Sequence, residues 1–78
     1  MTITPEQVKA ARQLLGWSQD DLAGHVGVSK STIGAFEIGN RGLPKFDLDA
    51  IRGTLEWAGV EFADIGGTPG VRLWKGLK

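Results

Sequence analysis

The chain has 78 residues, nine basic and nine acidic side chains, and no cysteine. That length holds one domain with a thin stability margin, and the absence of thiols excludes disulfides and thiolate metal sites. The balanced charge excludes wholesale electrostatic capture of a polyanion, and 41% hydrophobic with 23% charged residues is the composition of a folded domain. No apolar run approaches the ~18 residues of a membrane helix. No signal-peptide pattern opens the sequence, so a cytoplasmic location is expected. His25 is the only histidine. It reads as an exposed helix residue, and no metal or cofactor site is expected.

The first helix is announced by Thr4 as N-cap, Pro5 at the first helical position and Gln7 three residues beyond the cap. Val8, Ala11, Leu14 and Leu15 fall at helical spacing and predict its inward face. Gly16 is the expected stop. Arg12 lies beside the apolar face, which raises the question of a buried partner. Ser18 caps a second helix, with Asp20 and Asp21 in its first turn, where the helix dipole favours acids. Leu22, Ala23 and Val26 point inward, and Gly27 supplies a left-handed turn. Ser29 caps a third helix running to about Glu37. Ile33 and Phe36 anchor it, leaving Lys30, Ser31, Gly34 and Ala35 facing out.

Gly39 to Pro44 reads as a loop. Asp47, flanked by Phe46 and Ile51, predicts a capped and stapled start to a fourth helix. Leu48, Ile51, Leu55 and Ala58 form its inward face, and Gly59 ends it. The apolar period then changes from helical to alternating. Two strands are predicted, about 60–64 and 71–75, around turn chemistry at Gly66–Gly70, with Glu61 opposite Arg72. The Gly66–Gly70 run lacks the Lys-Ser/Thr ending of a phosphate loop. Trp17, Trp57 and Trp74 are expected in core or interface, with Trp74 as the exposed apolar contact of the hairpin.

Charge is unevenly spread. Residues 29–45 carry Lys30, Arg41 and Lys45 against Glu37, whereas 46–64 carry five acids against Arg52. A neutral total can therefore hide a phosphate-facing side. The geometry points the same way. A helix held out by a second helix at a sharp turn fits a major groove. Gly27 permits the turn, Ala23 permits close approach of the two helices, and Ile33 and Phe36 hold the outer helix from behind.

The pattern Gln19, Leu22, Ala23, Val26, Gly27, Val28, Ile33 and Phe36 resembles the phage-repressor-like (Xre-type) helix-turn-helix family. The likeness runs from about Val8 to Gly59. It implies a mainly α, four- to five-helix repressor-like domain over 1–59, to which the alternating period adds a C-terminal β-hairpin extension over 60–78. It also implies double-stranded DNA as partner. Gln19 is expected on a phosphate or bracing the third helix. Lys30 and Ser31 are expected nearest base edges, at the helix start that Ser29 caps, with Thr32 on a phosphate. Ala35 is expected against a thymine methyl, and Asn40, Arg41 and Lys45 on the DNA backbone. Arg12 and Glu37 match a pair that bridges the first and third helices in this family. A homodimer paired through the C-terminal strands is expected. The alternative is a protein-interaction module, adaptor or antitoxin-like, on the same fold. An enzyme is not expected, since the chain offers one histidine, no cysteine and little room for a substrate pocket.

Overall fold

Thr4 caps the first helix. Its hydroxyl accepts from the Gln7 backbone N–H at 3.1 Å, and its own N–H donates to Gln7 Oε1 at 2.9 Å. This capping box opens α1 (Pro5–Leu15), which Gly16 closes in the left-handed region at φ 71°. A second box, Ser18 with Asp21, opens α2 (Gln19–Val26), and Ser29 caps α3 (Lys30–Glu37) through the Thr32 N–H. The computed structural model describes residues 3–73, and α4 (Lys45–Trp57), β1 (Val60–Ile65) and β2 (Thr68–Leu73) complete them. The fold is thus four helices followed by an antiparallel hairpin.

One core joins these elements. Val8 and Ala11 of α1, Leu22 and Ala23 of α2, Ile33 and Phe36 of α3, and Ile51 and Leu55 of α4 are all buried. Ile3, Val60 and Phe62 close it from the two ends of the described chain. The apolar inner face of the hairpin is therefore spent on the helices. Gln7 adds a polar tie, since its Nε2 donates to the Gly70 carbonyl of β2 at 3.1 Å. The side chain that caps α1 thus also holds the hairpin.

Three sequence expectations are corrected. Leu14 is exposed, because it sits at the far edge of the arc made by Gln7, Val8, Ala11 and Leu15. Asp47 is not the cap of α4. The helix starts at Lys45, with Pro44 as an N-cap that offers no side-chain bond and Phe46 at 81% exposure rather than stapled. Pro44 at φ −60° is set for helix entry, and its carbonyl accepts the Leu48 N–H at 3.0 Å. The strands are Val60–Ile65 and Thr68–Leu73, so the turn is two residues long rather than five. Gly66 and Gly67, at φ 62° and 85°, form it. Two successive positive φ values are what a tight hairpin with matching twist requires. Pro69 is tolerated because both strands of a two-stranded sheet are edges. The expected second strand reached Lys75, and Trp74 was assigned to its outer face. Both residues lie outside the described residues.

The hairpin register confirms one expected contact. Glu61 faces Arg72, and the Arg72 Nε donates to Glu61 Oε1 at 2.9 Å. That hydrogen bond, and then the positive charge, hold the Glu61 carboxyl below its usual range. The pair is exposed, so it sets register more than stability.

Candidate nucleic-acid interface

The turn between α2 and α3 is built as the sequence required. Gly27 adopts φ 90°, and its N–H and that of Val28 both donate to the Ala23 carbonyl, at 2.8 and 3.1 Å. A Cβ at Gly27 would meet nothing, so the backbone conformation, not crowding, demands glycine there. Ala23 is buried behind the turn, and Ile33 and Phe36 hold α3 from within.

A polar clamp fixes the angle of α3. The Arg12 guanidinium donates to both oxygens of Glu37, Nε to Oε2 at 2.8 Å and Nη2 to Oε1 at 2.9 Å. Its Nη1 donates to the Trp17 carbonyl at 2.9 Å. Gln19 Nε2 donates to Glu37 Oε1 at 3.2 Å. The carboxylate side chain of Glu37 is only 1% exposed, and Arg12 is 11% exposed. The Glu37 hydrogen bond, acting against the cost of burial, holds the guanidinium above its usual range. Residues from α1, α2 and α3 thus meet at one carboxylate.

Of the two roles expected for Gln19, its side-chain amide performs the brace. That contact also explains Gly34. A Cβ on Gly34 would lie 3.3 Å from Gln19 Oε1. Glycine costs a helix about 1 kcal/mol relative to alanine. Here it leaves space for the amide that reaches Glu37. No spacing rule in the sequence carries this information, because it depends on how α2 crosses α3.

The outward face of α3 separates into two groups. Lys30 and Ser31 are exposed, whereas Thr32, Gly34 and Ala35 are half-buried. The Ser29 hydroxyl lies 2.8 Å from Thr32 Oγ1 and 3.4 Å from Ser31 Oγ. Ser29 and Thr32 are therefore engaged with each other, which leaves Lys30 and Ser31 as the projecting donors. Asn40 and Arg41 are exposed in the loop after α3. Lys45 is exposed at the start of α4, in an i,i+4 pair with Asp49 at 3.1 Å. Such pairs are weak in water and exchange readily.

The electrostatic consequence follows from the clamp. Glu37 is the only acid in residues 29–45. It is turned inward and neutralised by Arg12. The exposed side chains of that stretch therefore present Lys30, Arg41 and Lys45 with no acid of their own. The N-terminus of α2 differs: Ser18 and Asp21 cap each other there, and Asp20 adds a second acid in the first turn. A further contact was not expected. His25 stacks on Trp17, ring centroids 4.5 Å apart and planes at 15°.

Two short helices around a left-handed glycine, the second presenting a small polar face, define a helix-turn-helix unit. The chain belongs to the helix-turn-helix family HTH_3, which matches it over residues 8–51, more than half its length. The match runs from Val8 in α1 to Ile51 in α4, so it spans the clamp and the turn together. It supports a DNA-binding regulatory function in general terms. No curated protein matches the sequence. Among the described residues, no helix is long and apolar enough to cross a membrane.

Proposed function

We propose that the protein is a small Xre-type transcriptional regulator that binds double-stranded DNA as a homodimer, with α3 in the major groove. The observation that carries this is the sorting of charge around α3. Its one acid is locked inside by Arg12 and Gln19, while Lys30 and Ser31 project. Lys30 donates to guanine O6 and N7, and Ser31 serves more than one base. Arg41, Asn40 and Lys45 hold the phosphate backbone, with Thr32 and the α2 start at Gln19 flanking it. Ala35 lies where a thymine methyl approaches. Two copies reading two half-sites multiply an affinity that one short helix leaves weak. The role is non-catalytic, cytoplasmic and without cofactor.

Selection of bound duplexes from a random pool tests the assigned roles. Lys30→Ala is expected to change the selected sequence, at about 1–3 kcal/mol of lost discrimination for a bidentate base contact. Arg41→Ala is expected to weaken all sequences alike and to reduce the salt slope by about 1. Equal effects from the two variants would count against the division into base and phosphate contacts.

A second reading is a protein-interaction module on the same fold, adaptor or antitoxin-like. It draws on the exposed Ile38, Phe46 and Trp57. Binding that ignores salt, with a tight protein partner, would favour it.

A further inference from the structure

Helix α4 carries two faces. One holds Leu48, Ile51 and Leu55 against the core. The other was not expected to be apolar, yet Phe46 is 81% and Trp57 75% exposed. Between them lie Ala50 and Gly53. The order Phe46, Ala50, Gly53, Trp57 steps by four, three and four residues, which is the seam spacing of a coiled coil. Beside it is a shallow hollow of about 440 Å³, lined by Ala50, Gly53, Thr54 and Trp57 of α4 and by His25 of α2. Those α4 residues stand at i, i+3, i+4 and i+7. That is the set of four that forms a hole for a knob from a facing helix. The helix thus carries one aromatic knob, Phe46, and one empty hole, a turn apart on one stripe.

We infer that α4 is the pairing surface for a second copy of this chain, packed antiparallel across a two-fold axis. In that arrangement Phe46 of each copy enters the hole of the other, and Ala50 faces Ala50 at the crossing. The contact is isologous and closes on itself. Charge selects the direction. Along the edge of the stripe run Lys45, Asp49, Arg52 and Glu56, alternating in sign and paired within the helix at 3.1 and 3.0 Å. Turned against its own copy in the same register, this edge sets Asp49 against Arg52 on either side of the crossing. A parallel pairing would put the two copies of this edge on opposite sides of the seam, where they could not meet. The area is also adequate. Two aromatic side chains bring about 300–400 Å² per copy. With the lining of the hole and the charged stems, the pair buries about 1,000–1,200 Å² in total, near the lower bound for a specific interface. The inference rests on the homodimer proposed above and gives it a surface. The hairpin, expected from sequence to pair, already spends its inner face on the helices.

The test is sedimentation equilibrium of the full chain without DNA, from about 10 µM to 1 mM, the range in which so small an interface dissociates. Phe46→Ala removes the knob. Gly53→Glu fills the hole with a charge, at a position where a Cβ meets nothing and where helix propensity rises. Its fold is therefore retained, as circular dichroism checks. The wild type is expected to dimerise, and each variant to raise the dissociation constant at least tenfold. A dimer that survives both variants places the seam elsewhere, the hairpin included, and overturns the assignment. A wild type that stays monomeric gives the stripe to a different partner and overturns it too. Binding of the same three proteins to a mixed-sequence duplex at about 50 mM salt is read separately. Loss of dimerisation in the variants without any duplex binding by the wild type upholds the α4 seam and removes the DNA reading instead.

Discussion

Glu37→Ala is expected to destabilise the protein by about 3–5 kcal/mol, although residue 37 faces away from the proposed DNA surface. The cost comes from what the substitution leaves behind. Arg12 loses both carboxylate bonds while its guanidinium stays nearly enclosed, and Gln19 loses its acceptor. Only the bond to the Trp17 carbonyl remains. A domain of this length has a total stability of about 4–12 kcal/mol, so the loss is a large share of it. The charge, rather than the contact area, is the cause. Replacing both partners together, Arg12→Leu with Glu37→Met, is therefore expected to recover most of the loss. Urea unfolding of the two single variants and the double variant checks this. Single losses that add in the double variant would show that no clamp operates.

Ile33→Ala is expected to cost about 2–5 kcal/mol. Ile33 is fully buried and holds α3 against the rest of the core. Its neighbour Ser31 on the same helix is exposed. Ser31→Ala is expected to change stability by no more than about 0.5 kcal/mol. The two substitutions therefore separate anchoring from reading within one helix. Denaturant midpoints measure the difference, with the slope of the transition unchanged if the unfolded state is unaffected.

Much of the fold was legible because the signals were local. Thr4 with Gln7, Ser18 with Asp21 and Ser29 with Thr32 all cap helices through side chains three residues away. Gly27 was legible because one backbone conformation demands it. The Arg12–Glu37 clamp lies 25 residues apart and was reached through resemblance to a family, not through spacing. The brace by Gln19 and the role of Gly34 were not legible, since both depend on the crossing of two helices. The start of α4 misled because Asp47 is chemically the better cap. Pro44, with its fixed φ, begins the helix three residues earlier and so releases Phe46 to the surface. In the hairpin, Pro69 and Gly70 look like turn residues. They belong to β2, and Gly70 is the position over which the Ile65 side chain folds, 3.0 Å from where a Cβ would stand.

The DNA reading rests on a stretch, residues 29–45, whose only acid is buried, so its most direct test is a salt titration. Full-length wild-type protein is titrated into a labelled mixed-sequence duplex, followed by fluorescence anisotropy, at salt from about 50 to 200 mM. Arg41 and Lys45 are the two exposed cations assigned to phosphates in each copy. The account predicts measurable binding at about 50 mM and a logarithmic salt slope of about −2 per bound copy. No binding at that salt, or binding with no salt dependence, would contradict it.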